Sequence, residues 1–177
     1  MKDVNLLLAG FGGQGILFMG KVIAQAGLFD GREVSWLPSY GPEMRGGTAN
    51  CSVCVSDEPV CSPLISNPNV LIVMNLPSFE KFIGAVTTGG TVIVDSSLIA
   101  KKSGREDIEA FYVPATRLAE ENGLNGLANI ILTGKLLAVT NFCSMETMRK
   151  TIEKVVPARK RYLIEKNMEA IELGMNS

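Results

Sequence analysis

Two short stretches hold the residues best able to do chemistry. Gly10-Phe11-Gly12-Gly13-Gln14-Gly15 follows an apolar run at residues 5–9 and leads into a helix-like segment. Strand, glycine turn and helix is the setting in which free helix N–H groups and a positive dipole end meet an anion. The second stretch is Ser39-Tyr40-Gly41-Pro42-Glu43-Met44-Arg45-Gly46-Gly47. It follows another strand-like run, which predicts a place at the carboxyl edge of the sheet, near the glycine turn. Its arginine can grip a carboxylate or phosphate with two parallel hydrogen bonds. An internal Glu43–Arg45 pair or a subunit contact is the alternative use of these residues.

The glycine pattern matches a dinucleotide turn in spacing, but such a site also needs an acid at the end of the second strand to hold a ribose. Here that strand ends in Trp36-Leu37-Pro38, and Asp30 stands at its wrong end. A turn for an anionic group, or a turn that merely packs the helix on the sheet, are the readings left. Asn75 and Asp95 close two further strand-like runs, with Ser78, Ser96 and Ser97 just after them. They could line the same crevice or cap helices and turns, and capping is the better reading for Ser78.

Other chemistry is excluded by what is missing. The 177-residue chain has no histidine, so Ser–His and Cys–His nucleophiles and imidazole proton transfer are unavailable. Cys51 and Cys54 have C-x-x-C spacing, but on a strand positions three apart face opposite ways. With Cys61 and Cys143 elsewhere, no metal or cluster site is expected, and all four thiols are expected to be reduced. The net charge of −1 offers nothing to nucleic acid or an anionic membrane. No apolar stretch approaches the roughly 20 residues of a membrane helix. The acidic, strand-like start predicts no signal peptide, and the expected location is the cytoplasm.

The elements that must position these residues follow from hydrophobic pattern. Short apolar runs at 5–9, 70–74 and 91–95 read as buried parallel strands, with further strands at 33–37, 48–55 and 108–113. Helices are predicted over 16–28, 79–85, 116–122, 127–141 and 144–156, and a last one opened by Pro157. Three glycines and two prolines within residues 38–47 argue against regular structure there. The fold expected is one three-layer α/β/α domain over residues 1–177 with a mainly parallel sheet. The short link before residue 48 leaves room for an antiparallel strand, which would make the sheet mixed.

The pair "GFGGQGILFMGKVIAQAG" and "SYGPEMRGGTANCSV", followed by "NVLIVMNLPSFEKF", resembles the gamma subunit of the 2-oxoacid:ferredoxin oxidoreductases, closest to the 2-oxoglutarate or general ketoacid type. The pyruvate and indolepyruvate branches are its near alternatives. The resemblance implies oxidative decarboxylation of a 2-oxoacid, acyl transfer to coenzyme A and delivery of two electrons to ferredoxin. It implies thiamine diphosphate and iron–sulfur clusters on alpha, beta and ferredoxin-like delta partners. This chain would then be non-redox, inactive alone, and would hold none of those groups firmly. It leaves room for a part in coenzyme A binding, with Gly10, Gly12, Gly13, Gln14 and Gly15 and Ser39, Tyr40, Glu43, Arg45, Gly46 and Gly47 as motif residues. A nicotinamide-dependent Rossmann oxidoreductase and a free-standing small-molecule-binding module are the competing readings. On the resemblance, Arg45→Ala should raise the Michaelis constant for coenzyme A in the assembled enzyme about tenfold, the cost of one charge-assisted contact. An unchanged constant together with poor assembly would place Arg45 in an interface instead.

Overall fold

A computed structural model describes residues 3–39 and 48–177. Chain order is β1 (Val4–Phe11), α1 (Ile16–Phe29), β2 (Glu33–Ser39), β3 (Thr48–Ser56), β4 (Val70–Val73), α2 (Leu76–Phe82), β5 (Thr91–Asp95), β6 (Glu109–Val113), α3 (Ala115–Glu121), α4 (Ala128–Thr140), α5 (Met145–Val155) and α6 (Ile164–Met175). The six strands form one sheet in the order β2-β3-β1-β4-β5-β6. β1, β4, β5 and β6 run parallel. β3 is antiparallel to both of its neighbours, β1 and β2. The sheet is therefore mixed, because ten residues are too few for a right-handed parallel crossover and the chain turns back instead.

The apolar runs are buried because both faces are covered. Leu6, Leu8, Cys51, Val53, Val55, Ile72 and Ile93 point to the face carrying α1, α3, α4, α5 and α6. Leu7, Ala9, Leu71, Val73, Val92 and Val94 point the other way, under Phe79 of α2 and Ile99. Alternation along each strand assigns these sides, and five helices load one face against one on the other.

Three sequence expectations shift. Pro38 and Ser39 belong to β2, which continues beyond residue 37. A proline is tolerated because β2 is an edge strand, where one missing N–H need not break the ladder. The second helix begins at Leu76, with Asn75 as its cap and proline in its first turn, rather than at residue 79. After Pro157 the chain makes a 3-10 turn, Ala158–Leu163, and only then α6; Lys160, at φ −117°, breaks the helical run. Residues 158–162 bury no side chain, so no apolar stripe holds them in an α-helix.

α4 and α6 cross at backbone contact. A Cβ at Gly134 would fall on the carbonyl of Ile171, and one at Gly174 on the carbonyl of Ile131. Neither obstacle is a movable side chain. Alanine would gain about 1 kcal/mol of helix propensity at either position. Forcing the helices apart costs more, about 3 kcal/mol. Gly174→Ala should therefore lower the melting temperature by about 5 °C in calorimetry. A rise would show that the helices separate freely.

Candidate functional site

The candidate site lies at the carboxyl edge of the sheet, where the chain leaves β1 in one direction while β4 lies on its other side. Such a reversal of strand order opens a crevice. Gly13 (φ +94°) and Gly15 (φ +76°) take the left-handed backbone that side chains resist. Gly15 is the N-cap of α1, and no side chain caps it. A Cβ on Gly15 would strike the Asn129 amide, whereas the space above Gly13 is open.

Gln14 stitches the turn to the sheet. Its Oε1 accepts from the Phe11 N–H at 2.6 Å, and its Nε2 donates to the Met74 carbonyl at 2.9 Å. One amide therefore ties the end of β1 to the residue just after β4. Gly10 must be small, since a Cβ there would come within 2.7 Å of Gln14 Oε1 and 2.8 Å of Ile16 Cδ1. Gly12 is exposed on the crown of the turn.

Asn129, in the first turn of α4, is 4% exposed; its Nδ2 donates to the Gly15 carbonyl at 3.1 Å. Its Oδ1 is buried with no partner. The link joins positions 114 residues apart. Like α1, α4 has no side-chain cap and no acid in its first turn. Two uncapped N-termini thus face this edge, each leaving N–H groups for an anion.

Three clefts adjoin there. One of about 380 Å³ is lined by Gly13, Gln14, Met74, Thr116, Asn129 and neighbours. A second of about 250 Å³ shares Gly13 and runs along Phe11, Leu17 and Phe18. A third of about 570 Å³ shares Phe18, Asn125 and Gly126 and continues to Arg159, Lys160 and Lys166. The loop Gly123–Gly126 forms their common wall, with positive φ at both glycines. Sequence reading used Gly123 only as a helix stop and missed Asn129, the loop and the basic residues. The Gly-Leu-Asn-Gly spacing was the available signal.

The strand-end residues proved structural. Asn75 Oδ1 accepts the Ser78 N–H at 2.8 Å, capping α2. Asp95 is fully buried. Its carboxylate accepts from Ser97 N at 3.1 Å, Thr116 N at 3.3 Å and Thr116 Oγ1 at 2.6 Å. It caps α3, whose own N-cap, Pro114, has no side-chain acceptor. Ser97 Oγ accepts the next amide, Arg117 N, at 3.1 Å. Ser96 and Ser97 line a separate polar cleft with Arg117. Asp30 accepts from Thr147 Oγ1 at 2.6 Å, which commits the only acid near the ribose-binding count to the start of α5. Ser39 pairs with Asn50, and Asn50 with Ala9, so the second motif does leave the sheet at this edge. Tyr40, Gly41, Pro42, Glu43, Arg45, Gly46 and Gly47 lie outside the described residues.

The cysteines diverge. Cys51 faces α1, with its thiol 3.8 Å from the Ile16 carbonyl. Cys54 faces the other side, 4.0 Å from the Ser62 carbonyl. Among the described residues no three His, Cys, Asp or Glu side chains converge as metal ligands. No helix of the described residues is long and apolar enough to cross a membrane.

Comparison with known proteins agrees with this arrangement. The family model for pyruvate ferredoxin/flavodoxin oxidoreductase matches residues 5–177. The chain belongs to that family. It is 39% identical over 174 residues to the ketoisovalerate oxidoreductase subunit VorA of Methanothermobacter marburgensis, covering 98% of this chain but only 36% of that one. It is 38% identical over 173 residues to the 2-oxoglutarate synthase subunit KorC of Methanocaldococcus jannaschii, covering 96% and 91%. The chain thus spans about a third of the ketoisovalerate subunits it matches and nearly all of the 2-oxoglutarate one. A 2-oxoglutarate:ferredoxin oxidoreductase from Magnetococcus marinus, solved with 2-oxoglutarate, coenzyme A and succinyl-CoA bound, shares the fold. Its TM-score is 0.89 at 24% identity, over 99% of this chain and 31% of that one.

Burial sets the thiol chemistry. It pushes the Cys51 thiol up to about 12 against a small opposing pull from its hydrogen bond to Trp36. Burial first, and the Asp30 charge second, push Cys143 to about 12. An unfolded chain releases these protons near pH 9.0 while the folded one keeps them. Stability from both thiols is therefore complete below that pH and is lost as pH rises from about 9 to 12. Denaturant titrations should show a midpoint falling across that window. In the native chain at neutral pH a disulfide thiol reagent should label Cys61 at once, and all four cysteines only after unfolding. Fast native labelling of Cys51 would contradict the burial.

Proposed function

We propose that this chain is the gamma-type subunit of a coenzyme A-acylating 2-oxoacid:ferredoxin oxidoreductase, acting on 2-oxoglutarate or a related ketoacid. The observation that carries the reading is the carboxyl-edge crevice, where an open Gly13 turn and two uncapped helix N-termini meet. That set of groups suits the phosphates of a coenzyme rather than a reacting carbon. Gly10, Gly12, Gly13, Gln14 and Gly15 would shape the crevice, with Gln14 acting through the backbone it holds. Ser39, Tyr40, Glu43, Arg45, Gly46 and Gly47 would border it from the sheet edge.

In this reading the chain binds and orients coenzyme A, and partner alpha, beta and ferredoxin-like delta subunits supply thiamine diphosphate and iron–sulfur chemistry. The opposed faces of Cys51 and Cys54 offer no cluster, and without histidine the chain has no imidazole to move protons at neutral pH. Leu28, Phe29 and Trp36, at 55%, 46% and 39% exposure on the end of α1 and the edge strand, are apolar surface suited to such partners. One domain over residues 1–177 and a place in the cytoplasm complete the proposal. The engagement of Asp30 by Thr147 speaks against the nicotinamide alternative.

The crevice can be tested by charge alone. Gly13→Asp and Gly13→Asn carry the same backbone strain and nearly the same volume. In the assembled enzyme Gly13→Asp should show a Michaelis constant for coenzyme A about tenfold above that of Gly13→Asn, with an unchanged constant for the oxoacid. Equal values would remove coenzyme phosphates from the turn.

A further inference from the structure

We infer that the basic cleft beyond the glycine turn is a binding site for the phosphorylated end of an adenosine nucleotide. The cleft, of about 570 Å³, is large enough for a nucleotide, whose sites commonly run from about 300 to 1,000 Å³. Its floor is apolar: Leu124 and Val156 are buried, with Leu127 and Leu163 half-buried beside them. Arg159, Lys160 and Lys166 stand at its rim. Among the described residues none of the three forms an ion pair, whereas Arg149, Lys150 and Arg105 each have a carboxylate. Lys166 only leans on the Gly123 carbonyl at 3.4 Å. Three unneutralised cations on one wall suit a phosphate.

The second observation is Asn167. It is 2% exposed and lines the same cleft. Its Nδ2 donates to the Leu163 carbonyl at 2.7 Å, which fixes the amide and leaves Oδ1 buried without a partner. An unsatisfied buried acceptor is costly and calls for an N–H or O–H donor. A ligand with a flat apolar ring, an exocyclic amine and a phosphate meets all three requirements. Adenine presents such an amine without the carbonyl that guanine would add.

The nucleotide could be the phosphorylated adenosine of coenzyme A, continuing from the crevice through the shared Asn125–Gly126 wall, or a free adenosine phosphate. The first source rests on the function proposed above; the second does not. Titration calorimetry on the full chain with adenosine 3′,5′-bisphosphate, ATP, guanosine monophosphate and coenzyme A separates them. The variant is Arg159→Ala with Lys160→Ala, both exposed, with its melting temperature as the check on folding. Adenosine phosphates should bind the parent chain, in preference to the guanosine one, and at least about tenfold more weakly to the variant. A parallel loss of coenzyme A binding identifies the coenzyme as the source; intact coenzyme A binding identifies a free nucleotide. Absence of any adenosine phosphate binding at millimolar concentration, or equal binding by the folded variant, overturns the site. Either result leaves the Gly13 charge comparison to judge the crevice independently.

Discussion

The structure depends on one amide. Gln14 accepts from the end of β1 and donates just beyond β4, so it closes the gap that a reversal of strand order would open. The left-handed glycines on either side exist to let the chain reach that position and still start a helix in the next residue. Were Gln14 replaced by an apolar residue, a backbone donor and a backbone acceptor would lose partners together, at about 1–3 kcal/mol each if closed off from water. The turn is thus a brace first, and what it presents to a ligand is the backbone that the brace holds still.

Around that brace the site is assembled from distant parts of the chain. Asn129 reaches Gly15 across 114 residues, which sets α4 against α1 and turns both N-termini to the same edge. α4 is held in turn by α6, through contacts that only glycine permits. The C-terminal third therefore sets the geometry of a site whose most recognisable residues are in the first fifteen. Asp95 does similar work on the other side, fixing the start of α3 from the end of β5.

Much of this was legible in the sequence and some of it was not. The strands were readable because each is an unbroken apolar run, and residues 91–95 were bounded as observed. The antiparallel β3 was foreseeable from the length of its link. The opposite facing of Cys51 and Cys54 followed from strand periodicity alone. The helix boundaries at Leu76 and Ile164 were missed because proline misleads in both directions: Pro77 sits inside a first turn, while Pro157 opens only a 3-10 turn. Asp95 stayed ambiguous since a capping carboxylate and a ligand-binding one share residue type and strand-end position; only the Thr116 contact separates them. Asn129, Asn167 and the basic rim had no local pattern, because what defines them is contact between α1, α4, the loop after α3 and the segment after α5.

Pro38 has a further consequence. An open sheet margin is a template on which a second extended chain can add, whether from a partner or from an identical copy. β2 is such a margin, with Trp36 and Leu37 partly uncovered. The imino ring withholds one donor from that margin, close to where the strand leaves the sheet. Neighbours meeting this flank must do so through side chains rather than by extending the ladder, which protects the unassembled chain from sticking to itself before its proper neighbours arrive.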